Sequence, residues 1–422
     1  MFEANKRMKV LIINVAAYSG STGKITSGLY NYLKTQGHLV KVCYRGIKEE
    51  RADDPDFVPL ANRAGFYLSV ILARLTGLEG HFSFSSTRKL KLLVKEFEPD
   101  VIQLYNIHGN YIRSYAFLKY LKKRGIPVVY SMLDEFPYMG KCPYPEDCEK
   151  FKVECNHCPK KKAYPESWLF DTSRYLFHKK ECIYSGFDKL VFTGPPFVCK
   201  RAKESYLLKD CDVRELYEPF NFDDYFYPRE TERLREELGF DADDRVVLCA
   251  SGTAPRKGGK YFIEIADKLK DEPHLKFIFI GYNRNDWEFP DNVVVRGFIK
   301  DQNELAEYLS LADAYVCTSV GDTTPSVCLC ALGCGTPLIG FEYGGVMDCA
   351  PNEYGTYVPL RNVEAMAVAV KRARKKTVSD IDQIREYAIG TFSQNSVYAK
   401  QIAIYNEIIN RTDDNQISSY RG

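Results

Sequence analysis

Short apolar runs alternate with helical patterns from one end of this chain to the other, and that alternation narrows the fold more than any other feature. Val10–Val15, Leu39–Tyr44, Val101–Tyr105, Val128–Leu133 and Leu190–Thr193 read as strands in the first half. Val246–Ser251, Leu275–Ile280, Val293–Val295, Ala314–Thr318 and Pro337–Phe341 do so in the second. Several lack polar alternation, as expected when both faces of a parallel sheet are covered. Helical patterns lie between them, at Lys24–Gln36, Tyr115–Arg124, Lys260–Lys270, Gln302–Ala312 and Val363–Lys375. This order predicts an α/β protein with doubly wound sheets.

A length of 422 residues exceeds one ordinary core and suits two domains of about 200 residues each. The expected division is a first domain at 1–205, a connection at 206–243 and a second domain at 244–380. The connection includes Tyr225–Pro228 and a charged helix at Glu230–Leu238. A helical stretch follows at 381–412 (its pattern running Ile381–Ile409), then a polar tail at 413–422 expected to be disordered. A net charge of +2 gives no general attraction to nucleic acid. No apolar run reaches the roughly 18–20 residues of a membrane span, and Met1–Val10 is too polar for a signal peptide. The expected location is the cytoplasm, and the scatter of most of the 14 cysteines suits a reducing compartment.

Ser319–Gly335 follows a strand and opens a helix, with Thr324 placed to cap it, Pro325 at its first position, and Gly333 and Gly335 at its end. Such a helix start presents N–H groups and a positive dipole end to a diphosphate. Gly252–Gly259 sets Arg256 and Lys257 beside glycines, where cations can neutralise a diphosphate without a metal. Phe341–Val346 offers the Gly344–Gly345 pair for close backbone approach to phosphate. All three segments fall past strand C-termini, where open α/β sheets bind ligands. An ordinary strand–loop–helix unit remains the plain alternative for each.

Asn14–Ile25 carries Gly20 and Gly23, but Tyr18 and Ile25 occupy places where a P-loop needs Gly and Ser or Thr, so an NTPase is not indicated. No G-x-G-x-x-G follows the first strand, which argues against a nicotinamide enzyme. His108 lies in a Gly/Asn loop after a strand, and Asp134 follows the next strand. Cys142, Cys148, Cys155 and Cys158 form a C-x5-C, C-x2-C pattern that can hold structural zinc or stand as four reduced thiols. His157 inside it is expected to face solvent. Basic runs at Arg88–Lys91, Lys119–Arg124, Lys160–Lys162 and Lys200–Lys203 read as solvated helix faces or, sharing one face, as contacts for an anionic membrane.

The succession RKGG, SLADAYVCTS, GDTTPSVCLCALGCGTPLIGF and YGG resembles the donor domain of family 4 glycosyltransferases. SGSTGKI resembles the N-terminal loop of a subgroup acting in surface-polysaccharide assembly, which has a similar cysteine insertion. The resemblance spans nearly the whole chain and is strongest over 245–350. It implies a GT-B fold, with two Rossmann-like domains facing across a cleft, the first for acceptor and the second for donor, and a final helix crossing back. It implies transfer of a hexose from a nucleotide-diphosphate sugar to a hydroxyl of a glycan with retention; the basic runs, if on one face, favour a lipid-linked acceptor at a membrane surface, and the cations at Arg256 and Lys257 require no metal cofactor.

In the family a carboxylate pair brackets the hub helix. Its first member maps to Asp322, which would orient the donor sugar. Its second, the ribose ligand, maps to Cys330, and a thiol cannot accept from two hydroxyls as a carboxylate does. The family's arginine falls on Gly252, with Arg256 as its substitute, and its histidine before Asp134 falls on Leu133. Lys257, Arg256 and the backbone at Thr323, Thr324 and Ser326 would hold the diphosphate. Gly20, Gly23, Glu342, Gly344 and Gly345 would line the donor, with His108 and Asp134 beside the acceptor. Leu133 and Cys330 favour the alternative of a catalytically impaired paralogue that binds or scaffolds. A sugar-nucleotide epimerase or phosphorylase resembles the hub less.

Overall fold

The computed structural model describes residues 7–47, 54–282 and 287–411. The chain divides into two compact units, one of residues 1–218 with 397–422 and one of residues 219–396.

The first unit contains β1 (Lys9–Ile13), β2 (Leu39–Tyr44), β3 (Phe57–Pro59), β4 (Val101–Leu104), β5 (Val128–Ser131), β6 (Leu190–Gly194) and β7 (Asp212–Glu215). They form one parallel sheet in the order β3-β2-β1-β4-β5-β6-β7, with Val10 level with both Val40 and Val101. Successive residues of β1 enter different cores: Leu11 and Ile13 pack with Ile102 and Leu104, while Val10 and Ile12 pack with Val42 and Val101. That is why the run shows no polar alternation.

The second unit contains β8 (Arg245–Ser251), β9 (Leu275–Gly281), β10 (Val293–Arg296), β11 (Ala314–Cys317), β12 (Leu338–Phe341) and β13 (Gly355–Val358). Their order is β10-β9-β8-β11-β12-β13, again parallel. Both sheets reverse their winding beside the first strand, between β1 and β4 and between β8 and β11. Chains leaving neighbouring strands there diverge to opposite faces and leave room for a ligand.

All ten strands read from the sequence are present, within two residues at either end. Three others, β3, β7 and β13, were not legible; each lies at a sheet edge. β7 reads Asp-Val-Arg-Glu and β3 ends in Pro59, and polar or proline-bearing edges hide a strand's apolar signal. Consequently the supposed connection at 206–243 needs correction. β7 pairs with β6, so the first unit continues to Glu218, and the charged helix (Glu232–Glu237) already belongs to the second.

The last helical stretch is also two helices, Val378–Phe392 in the second unit and Gln394–Asn410, most of it in the first. Tyr398, Ile402, Tyr405 and Ile408 complete the core on one face of the first sheet. Gln401 Nε2 and the Tyr405 hydroxyl both donate to Gln103 Oε1, at 2.7 and 2.8 Å. The tail at 413–422 lies outside the described residues. No described helix is long and apolar enough to cross a membrane.

Candidate functional site

In the second unit the loops after β8 and β11 meet at the point where the winding reverses. The β8 loop makes a single turn at Pro255–Lys257, and Gly258 leaves it with φ +69°. A Cβ there would stand 1.9 Å from the Thr318 carbonyl oxygen, so only glycine lets the two loops touch. Val320 N donates to Arg256 O at 2.8 Å, and the Ser319 hydroxyl oxygen lies 3.1 Å from the same oxygen.

This backbone contact sets the side chains. Asp322 is nearly buried and accepts from Arg256 Nη1, from Lys257 Nζ at 2.8 Å and from Ser319 Oγ at 2.6 Å. Burial opposes the charge on Asp322, but Lys257 and Arg256 outweigh it and hold the carboxyl below its ordinary range. Lys257 has three donors and spends one on Asp322. The arrangement concentrates two cations and one carboxylate at a strand end, a surplus of positive charge suited to a diphosphate.

The hub helix runs Ser326–Gly333, and Pro325 stands at its cap instead of its first turn. Thr324 therefore does not cap it. No side chain caps this helix, and Thr324 Oγ1 is buried without a partner among the described residues. Ser326, at the first position, is exposed, and Cys330 sits one turn further in, nearly buried. Gly344 and Gly345 bring the loop after β12 against the Asp322 loop. Cβ atoms on them would stand 2.5 Å from Asp322 O and 1.4 Å from Thr323 O. Gly345 N donates to Asp322 O at 2.9 Å, so this N–H supports the Asp322 loop. A Cβ on Gly252 would meet nothing, and Glu342 is exposed.

In the first unit, Asn14 joins the loops at the reversal of winding. It donates to Thr26 Oγ1 at 2.7 Å and Thr22 O at 3.0 Å, and accepts from Asn106 N at 3.2 Å. The first helix begins at Gly20 (φ +68°), earlier than its apolar pattern indicates. A Cβ on Gly23 would lie 2.6 Å from the Tyr18 carbonyl carbon, so the glycine loop folds back upon its own helix.

His108 and Asp134 come together from the loops after β4 and β5. His108 Nε2 is 2.8 Å from Asp134 Oδ2 and Nδ1 is 3.0 Å from the Tyr164 hydroxyl. A carboxylate only accepts, so a neutral ring carries its proton on Nε2 and its Nδ1 accepts from Tyr164. His108 and Asp134 are buried, whereas Tyr164 is 55% exposed. The three form a chain from the surface of the unit to a buried carboxylate, able to orient and polarise a hydroxyl. Leu133 is half-buried against the neighbouring core.

Glu79 supports this loop from behind, accepting from Gly109 N at 2.7 Å and Asn110 N at 3.2 Å. Burial pushes its carboxyl above the ordinary range, although His108 and those N–H groups pull it down. Neither Glu79 nor Tyr164 was legible as a site residue. The only local signals are glycines flanking Leu78–Glu79 and the proline after Tyr164.

All four cysteines of the insertion are free, with Cys142 and Cys155 buried and His157 exposed. Burial raises the Cys142 thiol, and Cys158, Cys155 and Cys148 lie near enough to raise it further. As they stand, no group of three or more His, Cys, Asp or Glu side chains among the described residues is placed to hold a metal ion.

Residues 244–375 match the family model described as glycosyl transferases group 1. That match lies within the second unit. An Escherichia coli protein named as a glycosyl transferase of colanic acid biosynthesis is 21% identical over 353 residues, 79% of this chain and 82% of its own. Two other curated relatives, from Methanocaldococcus jannaschii and Bacillus subtilis, are 27% and 26% identical; the chain spans only 47% and 36% of their lengths, using 43% and 33% of its own. Among solved structures, a sucrose-phosphate synthase of Thermosynechococcus elongatus gives a TM-score of 0.67 at 17% identity, covering 95% of this chain and 99% of that one. Anabaena HepE in complex with UDP-glucose gives 0.59 at 14% identity, covering 98% and 100%. The fold shared with these structures is GT-B.

Proposed function

We propose that the protein transfers a hexose from a nucleotide-diphosphate sugar to a hydroxyl of a glycan, with retention, in polysaccharide biosynthesis. The bond from the anomeric carbon to the diphosphate oxygen breaks, and a bond to the acceptor oxygen forms. One observation carries this reading: Arg256 and Lys257 gather around Asp322 at the strand ends of the second unit. Their charge would stabilise the departing diphosphate, assisted by backbone N–H groups of Thr323, Thr324 and Ser326. This use of two side-chain cations requires no metal ion. Asp322, held ionised, would orient the sugar. His108, Asp134 and Tyr164 would orient the acceptor hydroxyl. Support for a nucleotide sugar as donor comes from the UDP-glucose bound by HepE, and for a polysaccharide product from the colanic acid relative. A lipid-linked acceptor at the cytoplasmic face of a membrane belongs to the same reading.

Leu133 and Cys330, at places where the family carries a histidine and a carboxylate, favour a second reading as a non-catalytic binding subunit. A panel of UDP-, GDP- and dTDP-sugars separates the two. We expect one donor to bind and to hydrolyse slowly. Binding without hydrolysis or transfer would support the scaffold, and failure to bind any donor would overturn the enzyme reading.

Zinc in the cysteine insertion is a further part of the proposal, because four free thiols near one another supply its preferred donors. It would have to draw them closer than they stand. Metal analysis of the purified chain should find one zinc per chain, and its absence would leave four structural thiols.

A further inference from the structure

A concentration of positive charge lies in the first unit, in a cavity of about 710 Å³ between the Ser114–Arg124 and Ser173–Tyr184 helices. Its volume is typical of small-molecule pockets. Arg113, Lys119, Lys122, Lys123 and Lys179 line it, and no acidic residue does. None of these five forms an ion pair with an acid among the described residues. Lys122 donates to Ser185 O and Lys179 to the Tyr175 hydroxyl, while Arg113 lies over the Phe84 ring. Elsewhere in this unit cations meet carboxylates, as Arg201 does with Glu135 and Glu149.

Residues that line the cavity also carry unsatisfied polar atoms. Tyr115 is only 3% exposed, yet its hydroxyl has no partner among the described residues, and the same holds for Arg113 Nε and His81 Nε2. A buried hydroxyl or guanidinium nitrogen without a partner is destabilising, so a ligand that accepts hydrogen bonds there would be favoured. Burial keeps the Tyr115 phenol protonated, leaving it as a donor. The remaining wall is apolar, with Ala116 and Ile183 beside the Tyr115 ring.

We propose that this cavity binds the phosphate or diphosphate group of an organic ester. Ammonium, guanidinium and phenol groups supply donors, and five positive charges exceed what one carboxylate would balance. The apolar wall suits the organic part. This site is distinct from Arg256 and Lys257 and does not depend on the protein being a transferase. It does reach the His108 loop, since Gly80 at its wall donates to Asn110 Oδ1 at 3.2 Å and adjoins Glu79. Occupancy would stiffen the segment that supports His108.

Titration calorimetry of the full chain with inorganic pyrophosphate and with farnesyl diphosphate tests this. Lys119→Glu/Lys123→Glu removes two exposed, unpaired cations, and Tyr115→Phe removes only the orphaned hydroxyl. Arg256→Gln/Lys257→Gln serves to subtract binding by the second unit. We expect binding to survive the last variant, to weaken at least tenfold in the Lys119/Lys123 variant, and to weaken about threefold in Tyr115→Phe without loss of melting temperature. Tighter binding of farnesyl diphosphate than pyrophosphate would identify a lipid-borne ester, and equal affinity a free phosphate compound. Absence of binding, or binding abolished by Arg256→Gln/Lys257→Gln and untouched by Lys119→Glu/Lys123→Glu, would overturn the proposal.

Discussion

The two units wind their sheets in the same order and gather side chains at neighbouring strand ends, but fill them with opposite chemistry. In the second unit the ends of β8 and β11 hold an ionic cluster whose cations tie a carboxylate in place. In the first, the loop after β4 holds a histidine between a carboxylate and a phenol. The second arrangement suits fixed charge on a leaving group; the first suits orientation of a proton. A shared topology thus supplies a location, and the loops supply the chemistry.

The comparison breaks most visibly at Lys257. Lys257→Ala should lower turnover of the accepted donor about 10³-fold, in line with the loss of a preorganised electrostatic group, and weaken donor binding as well. His108→Asn should lower turnover about 10²-fold while donor affinity stays unchanged. If both variants lose donor binding equally, the assignment of separate roles to the units fails.

A difference in stability should follow from Lys180 in the first unit. It is fully buried, donates to Met139 O at 2.7 Å and to Phe136 O, and burial lowers its pKa to about 7. Its folded pKa is depressed, so between about pH 7 and the ordinary lysine value near 10.4 the unfolded chain binds more protons. The stability of this unit should rise with pH in that window, by at most about 1.4 kcal/mol per pH unit, and fall back as pH drops toward 7. Trp168 belongs to the first unit and Trp287 to the second, so urea unfolding followed by fluorescence in a Trp287→Phe background reports the first alone. Lys180→Met should flatten the slope; an unchanged slope would assign it to other groups.

The smallest effect is expected at Cys330. If a donor ribose lies beside it, Cys330→Glu should raise donor affinity about threefold, and affinity that stays level or falls would move the ribose elsewhere.

Much of this was legible before folding was considered. Apolar runs of strand length, several of them free of alternation, announced two parallel sheets; glycines and cations past strand ends marked Arg256 and Lys257, and the family resemblance marked Asp322. Edge strands were not legible, because a strand such as β7 buries little and keeps its charges. The packing of Gly345 was likewise hidden: its spacing suggested a phosphate contact, and the folded chain also sets it against Thr323 O.

The sequence by itself determined the doubly wound architecture and the strand ends at which chemistry could occur, since both follow from local periodicity and local turn residues. Only the tertiary structure decided which side chains meet there. Tyr164 reaches His108 across 56 residues, Glu79 reaches Gly109 across 30 and Lys257 reaches Asp322 across 65. Hydrogen bonds and burial depend on distance in space, and no local pattern encodes the distance between loops that the sheets bring together.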